Sequence, residues 1–469
     1  MNPTSAPSKR PMPGKRPPGG GLFLLLKPYR GLVILLVILT IAGNALNLAV
    51  PKLISGAVDA YARPGFDLTQ TVVRFLLVAI FVFLFAYAQS IVQTFAAEKV
   101  ARDLRAKVVA KIATQTYGFV EQVTPAKLLT NLTSDIDGVK MFVSMAVATI
   151  ISSLFLIIGS SVLLLTINWR LGLAVLGVVP LVGGTFFFAL RKVRELFKRG
   201  QEAVDWLNRV INESILGAML IRVLQSQDSE ARKFEKANTE AYDIGISILR
   251  IMSGMIPAIT LAINLATVII LLLGGRLVMS DSMTLGDFTA FNTYLFILVF
   301  PIIMLGFMSN IMAQAGASYG RLAMVLMAPP APGGGTLQSS LRGGLAVEGV
   351  SLTLGDKDVL RSVSFEIQPG TSNAIIGPTA AGKTQLLYAL IGLLKPTSGT
   401  IAYDGQAIEN YDKASLHRQV GIAFQDSILF NLSLRENIAF TSSVTEEDLD
   451  RAIRAAELHD FIGALPQGL

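Results

Sequence analysis

The stretch Ala374-Ile-Ile-Gly-Pro-Thr-Ala-Ala-Gly-Lys-Thr384 decides how the rest of the chain is understood. Residues 373–376 have the length and composition of a buried strand, residues 377–384 match G-x-x-x-x-G-K-[ST], and residues 385–394 continue as an apolar helix. In that order, successive backbone N–H groups and a helix N-terminus converge on a phosphate chain, and Gly382 admits close approach. Gly377, Pro378, Thr379, Ala380, Ala381, Gly382, Lys383 and Thr384 are therefore candidate phosphate-binding residues. Lys383 would bring a point charge to the β- and γ-phosphates, and the Thr384 hydroxyl a ligand to Mg²⁺. The bland alternative is a chance match in an ordinary glycine turn.

Composition places most of the chain in a bilayer. At 469 residues it exceeds one ordinary domain, only 16% of residues are charged, and the mean hydropathy is +0.56. The formal charge of +7 sits in the N-terminal tail and between apolar runs, which is how a membrane protein sets its orientation, so nucleic acid is not an expected partner. There is no cysteine, which excludes disulfides, thiolate metal sites and thiol catalysis. His417 and His459, the only histidines, are too few for a histidine metal cluster and fit polar surface positions.

Residues 1–22, rich in Pro, Gly and Ser and carrying Lys9, Arg10, Lys15 and Arg16, are expected to be a disordered basic cytosolic tail. A signal peptide is the competing reading, but the apolar run 31–53 is too long for one and further runs follow. Apolar runs of about 20 residues fall at 31–53, 71–93, 142–167, 171–190, 255–278 and 288–312. Six is an even number, so both termini are expected on one side, in the cytosol. The segments between runs on that side carry the cations: Lys99, Arg102, Arg105, Lys107 and Lys111 in one, Arg191, Lys192, Arg194, Lys198 and Arg199 in the other.

Proline is absent from 66–124, 126–179 and 181–256, so helices are free to run past the membrane. At the tips of these extensions, residues 119–137 and 212–234 are each expected to hold a short helix that touches a soluble partner domain; a solvated hairpin is the alternative. Within the runs Asn44, Asn47, Gln89, Gln93, Ser152, Ser153, Ser160, Ser161, Asn264 and Asn292 supply the polarity, chiefly for helix-to-helix bonding. With almost no ionisable side chain at mid-depth, a bulky apolar or amphipathic cargo is favoured over a small ion.

A Pro, Gly and Ser-rich linker ends at Gly344, and a soluble domain follows. Residues 345–354 alternate like a strand, 355–358 form a turn, 363–367 a second strand, 400–403 a third, and Asp404-Gly405 a hairpin turn. Residues 420–424 are expected to be another short buried strand delivering Gln425 to its end, with helix beyond Ser433 and strongly so over 446–458.

This order of elements resembles the ATP-binding cassette exporters, specifically half-transporters with six spans ahead of one nucleotide-binding domain. The resemblance covers nearly the whole chain after residue 22. In the membrane part it rests on 168–180 between the third and fourth spans, on 285–301 and 317–321 around the sixth, and on 124–137 and 213–234 as the two coupling-helix regions. In the soluble part Lys395-Pro-Thr-Ser-Gly-Thr-Ile-Ala-Tyr-Asp-Gly405 and residues 420–437 are highly specific matches. The second contains the family's Q-loop, which implies that Gln425 contacts Mg²⁺ and the attacking water.

The implied fold is an all-α six-helix membrane domain over 23–322, a linker over 323–344 and the N-terminal portion of an α/β P-loop NTPase domain over 345–469, incomplete at its C-terminus. The implied activity is ATP-driven export of an amphipathic or lipid-like substrate by a dimer of half-transporters.

Three departures stand out. Ala380 and Gln385 occupy loop positions where the family has Gly and Ser or Thr, and Leu354 falls where an aromatic residue stacks on adenine. The chain also stops before the family's signature sequence, second acidic motif and switch histidine, from which the 469-residue chain alone is expected to lack ATPase activity. The runner-up reading is a non-catalytic, nucleotide-binding membrane subunit that pairs with a competent half-transporter.

Overall fold

The computed structural model describes residues 22–61, 66–331, 333–355, 357–425, 428–441, 443–466 and 469. The expected tail lies outside these residues apart from Leu22. Contacts divide the chain into two units, one ending at Ala331 and the other beginning at Pro332.

Six helices of the first unit are long and apolar enough to cross a membrane: Leu24–Tyr61, Leu68–Ala113, Pro125–Ile167, Trp169–Leu216, Gln227–Met279 and Leu285–Leu326. Each contains one of the six apolar runs, and the second and fourth continue into charged sequence as the missing prolines allow. Side-chain caps fix several starts: Asp67 accepts from the Gln70 N–H, Asn168 from Leu171 and Thr284 from Asp287. Pro51, Pro257 and Pro301 lie inside helices, which packing by neighbouring helices tolerates.

The bundle has two apolar cores. One joins Leu36, Val100, Leu104, Ile136, Phe142, Ala315 and Leu322; the other joins Leu48, Leu164, Leu171, Phe291, Tyr294 and Leu298. Polar groups in the runs tie helices together or bond back to their own turn. Ser152 donates to Asn44 Oδ1 at 3.1 Å, Gln93 donates to the Ser144 carbonyl, and the Tyr294 hydroxyl donates to the Leu48 carbonyl at 2.8 Å. Ser160 and Ser161 donate to carbonyls one turn earlier.

A short helix, Tyr117–Val123, runs into the first expected tip from two residues before it, and another, Ala218–Val223, lies within the second. The third long helix then starts at Pro125 and passes through a π-helical turn, Asn131–Asp135.

In the second unit β1 (Leu345–Leu354), β2 (Lys357–Ile367), β3 (Ser398–Tyr403) and β4 (Gln406–Ala407) form an antiparallel sheet in the order β2-β1-β3-β4. Leu345 and Val347 are buried, then Val350 and Leu352: the alternation slips by one residue where the pairing register shifts between Val347 and Val350. The turn between β3 and β4 holds Asp404 and Gly405 both at positive φ, 48° and 79°, as a two-residue hairpin requires.

Two expected strands do not form. Residues 373–376 and 420–424 carry no strand pairing, Ile376 is 91% exposed and Phe424 is exposed. A strand is made by neighbours that accept and donate its backbone hydrogen bonds. The described sheet is antiparallel throughout, and neither segment pairs with any of its strands. The second strand is also longer than expected, taking in Lys357 and Asp358 from the expected turn.

Candidate functional site

The phosphate-loop helix is Lys383–Leu390, shorter than the expected 385–394 at its far end because Gly392, at φ 72°, closes the turn. Leu386, Ala389 and Leu390 bury against β1 and β3 residues, so the helix is anchored by its apolar face. Tyr403 strengthens that seat by donating to the Leu390 carbonyl at 2.9 Å.

Gly382 caps this helix in the left-handed region at φ 86°, and a Cβ there would lie 2.9 Å from the Val359 carbonyl oxygen. Only glycine fits both the torsion and the space. Ala380 is also left-handed, at φ 65°, where a side chain is strained.

Residues 371–381 face solvent, and Lys383 turns back over them: its Nζ donates to the Gly377 and Pro378 carbonyls at 2.8 Å each. Thr384 is exposed on the first turn, with Gln385 partly buried behind it. These groups therefore stand together around one helix N-terminus, with backbone N–H groups and an ammonium open to an anion.

Leu354 sits at the end of β1 opposite Lys357, half-buried against the sheet core. Gln425 is exposed. Its neighbour Phe424 packs on Tyr388 of the loop helix with ring centroids 6.0 Å apart, which ties the Gln425 segment to the phosphate-loop helix. Sequence patterning gave no signal for this contact. Asn437 is a second residue that patterning missed: its side chain accepts from the Phe430 N–H and donates to the Phe430, Leu432 and Ser433 carbonyls, fixing the chain after Gln425.

The second tip presents a strongly apolar surface. Leu216 is 87% and Met219 82% exposed, with Leu220, Val223 and Leu224 beside them. Beneath lies an open cavity of about 450 Å³ lined by Ile211, Ile215, Ala218, Ile221 and Phe234. Lys233 donates to Glu213 at 2.9 Å and braces the two helices that carry the tip; this bond holds the Glu213 carboxyl below the usual carboxylate range. Among the described residues no group of three or more His, Cys, Asp and Glu stands together, so a divalent ion has no all-protein cage there.

Six membrane-length helices followed by a glycine-framed lysine loop at a helix N-terminus define a membrane protein joined to a nucleotide-binding domain. The chain belongs to the ABC transporters: the ABC transporter transmembrane region family matches residues 33–302 and the ABC transporter family residues 360–467. The uncharacterized ABC transporter ATP-binding protein YfiB of Bacillus subtilis is 28% identical over 451 residues, 94% of this chain and 78% of that protein. The ATP-dependent lipid A-core flippase of Syntrophus aciditrophicus is 27% identical over 387 residues, 82% of this chain and 64% of that protein. The probable multidrug resistance ABC transporter ATP-binding/permease protein YheI of Bacillus subtilis is 24% identical over 444 residues, 92% of this chain and 76% of that protein. The chain is accordingly an integral membrane protein of the half-transporter type, with an ATP-binding domain and a family-wide role in ATP-driven transport.

Proposed function

We propose that this chain is one half of an ATP-driven exporter of amphipathic or lipid-like molecules, acting as a dimer in a bacterial plasma membrane with both termini in the cytosol. The observation that carries the reading is the Lys383 loop at the start of a sheet-anchored helix, on the same chain as six membrane-length helices. The residues fit Mg-ATP: the loop is open to solvent, its glycine is spatially required, and Thr384 offers a hydroxyl on the first turn.

In this reading residues 23–322 form the translocation domain, 323–344 the linker and 345–469 nucleotide-binding sequence, with 1–22 as a basic tail. Residues 377–385 hold the phosphates, Lys383 contributing charge and the others backbone donors. Leu354 offers apolar contact to the base. Thr384 and Gln425 would present oxygens to Mg²⁺, which would supply positive charge to offset that of the phosphates. A metal held by one or two protein oxygens together with phosphates needs no larger cage. Gln425 also orients the attacking water.

The exposed apolar face at Leu216, Met219 and Leu220 is the surface that meets a soluble domain in the paired assembly, because such a face is unfavourable in water. Support for an amphipathic cargo comes from the scarcity of ionisable side chains at mid-depth and from the names of two relatives, a lipid A-core flippase and a probable multidrug transporter.

The test is uptake of a fluorescent amphipathic dye and of a fluorescent phospholipid into inside-out vesicles. With the chain in its paired, ATPase-competent assembly, ATP-dependent accumulation of either, abolished by Lys383→Ala, is expected. Equal accumulation with and without ATP overturns the reading.

A further inference from the structure

Asp135 closes the π-helical turn near the start of the third long helix, and it is 1% exposed. Its partner is Arg321, 186 residues further on, in the last turns of the sixth long helix. Arg321 Nε donates to both carboxylate oxygens at 3.0 Å, and Nη2 donates to Oδ1 and to the Ser318 hydroxyl at 3.1 Å.

Residue 138, a glycine one turn further on, faces Ser318 of the same helix end. A Cβ at Gly138 would lie 2.9 Å from Ser318 Oγ. The flanking residues Ile136, Val139, Ala315, Leu322 and Val325 are all buried in one apolar core, so little else compensates the carboxylate. Neighbouring charges are engaged elsewhere: Arg105 with Asp137 at 3.9 Å and Lys140 with Glu98 at 2.5 Å. Among the ion pairs of the described residues Asp135 meets Arg321 alone.

A buried carboxylate that loses its only cation is strongly disfavoured, so the pair is kept intact or the core repacks. That makes the contact between these two helix ends two-state rather than sliding.

We propose that Asp135 and Arg321 are a positioning pair, locking the first tip segment to the outgoing end of the sixth helix so that a push at the tip moves that helix. The proposal rests on the transporter reading above. It adds which side chains carry the nucleotide-driven motion into the spans.

The chain has no cysteine, so pairs of spin labels can be placed without background. Leu129→Cys with Met324→Cys reports on the lock, and Tyr61→Cys with Leu285→Cys reports on the opposite ends of the first and sixth helices; all four positions are exposed. The measurement is the distance distribution for each pair in the full chain in lipid nanodiscs, with and without Mg-ATP, alongside ATP affinity in the same samples.

The lock pair should give one narrow distance that ATP does not change, and Arg321→Ala should broaden it at least twofold. The second pair should shift with ATP in the parent. Arg321→Ala and Asp135→Asn should lose that shift while ATP affinity stays within twofold, a split that loss of structure alone does not produce. Arg321→Lys, which keeps the charge without the planar fork, should recover part of it.

A full shift in Arg321→Ala, or separation of the lock pair on adding ATP, overturns the proposal. If the parent binds ATP and shows no shift, the transporter reading fails with the transmission role. The lock itself is then judged by the first label pair.

Discussion

Lys383 reaches back to the carbonyl of Gly377, its Nζ 2.8 Å from that oxygen and 2.8 Å from the Pro378 carbonyl, so the loop is held in shape by the side chain expected to bind phosphate. A cation satisfied by two neutral carbonyls is readily reassigned to a polyanion, since charge-assisted bonds are the stronger. Lys383→Ala should therefore loosen the loop even without nucleotide. Hydrogen exchange of the amides at 379–382 should speed up, with the six long helices inserted as before. Unchanged exchange would mean that the lysine contacts do not shape the loop.

Ala380 is the loop residue whose backbone its side chain opposes. A left-handed alanine costs roughly 1–2 kcal/mol, and glycine returns some of that gain through its greater freedom when unfolded. Ala380→Gly should then leave the dissociation constant for Mg-ATP within about threefold of the parent. A β-branched side chain tolerates φ 65° far less well, so Ala380→Val should weaken binding by at least about tenfold. Fluorescence titration separates the two. Equal affinities for Val and Ala would show that the nucleotide-bound loop abandons this torsion.

Leu354 lies half-buried at the end of β1, where the site reading puts the adenine. Replacing it by tyrosine adds a π face, and Leu354→Tyr should tighten ATP binding by about 0.5–1.5 kcal/mol, the range for an aromatic pair. An unchanged dissociation constant would place the base elsewhere.

Asp404 accepts from the N–H groups of Arg342 at 2.6 Å and Gly344 at 2.9 Å, and these bonds hold its carboxyl below the ordinary value of 3.8. A lowered folded value means that the ionised form is the one that stabilises. Its contribution is complete above pH 3.8 and is lost as pH falls through the folded value. At neutral pH Asp404→Asn should speed hydrogen exchange at 342 and 344, and the difference from the parent should shrink in acid. A difference independent of pH would show that ionisation is not what holds these amides.

Much of this architecture was legible in local pattern. The six spans were readable because each needs only an apolar run, the Asp404-Gly405 hairpin because its torsions select those residues, and the loop because its glycines and lysine lie within eight positions of each other. Features that depend on a distant partner were not. Residues 373–376 have strand composition but no pairing neighbour among the described residues. Asp135, in a mixed polar segment, looks solvated until the sixth helix sets Arg321 against it and Ser318 beside Gly138. The register slip in β1 was hidden for a similar reason, since a bulge is defined by what the opposite strand does.

Binding of labelled ATP to the chain in nanodiscs, with and without Mg²⁺, tests the central claim most directly, because it asks whether the loop at 377–384 is the nucleotide site. Binding should be saturable, should strengthen with Mg²⁺ in the parent but much less in Thr384→Ala, and should fall by tenfold or more, roughly 1.4 kcal/mol, in Lys383→Ala. Parent-level affinity in Lys383→Ala, or no saturable binding by the parent at millimolar ATP, would contradict the account.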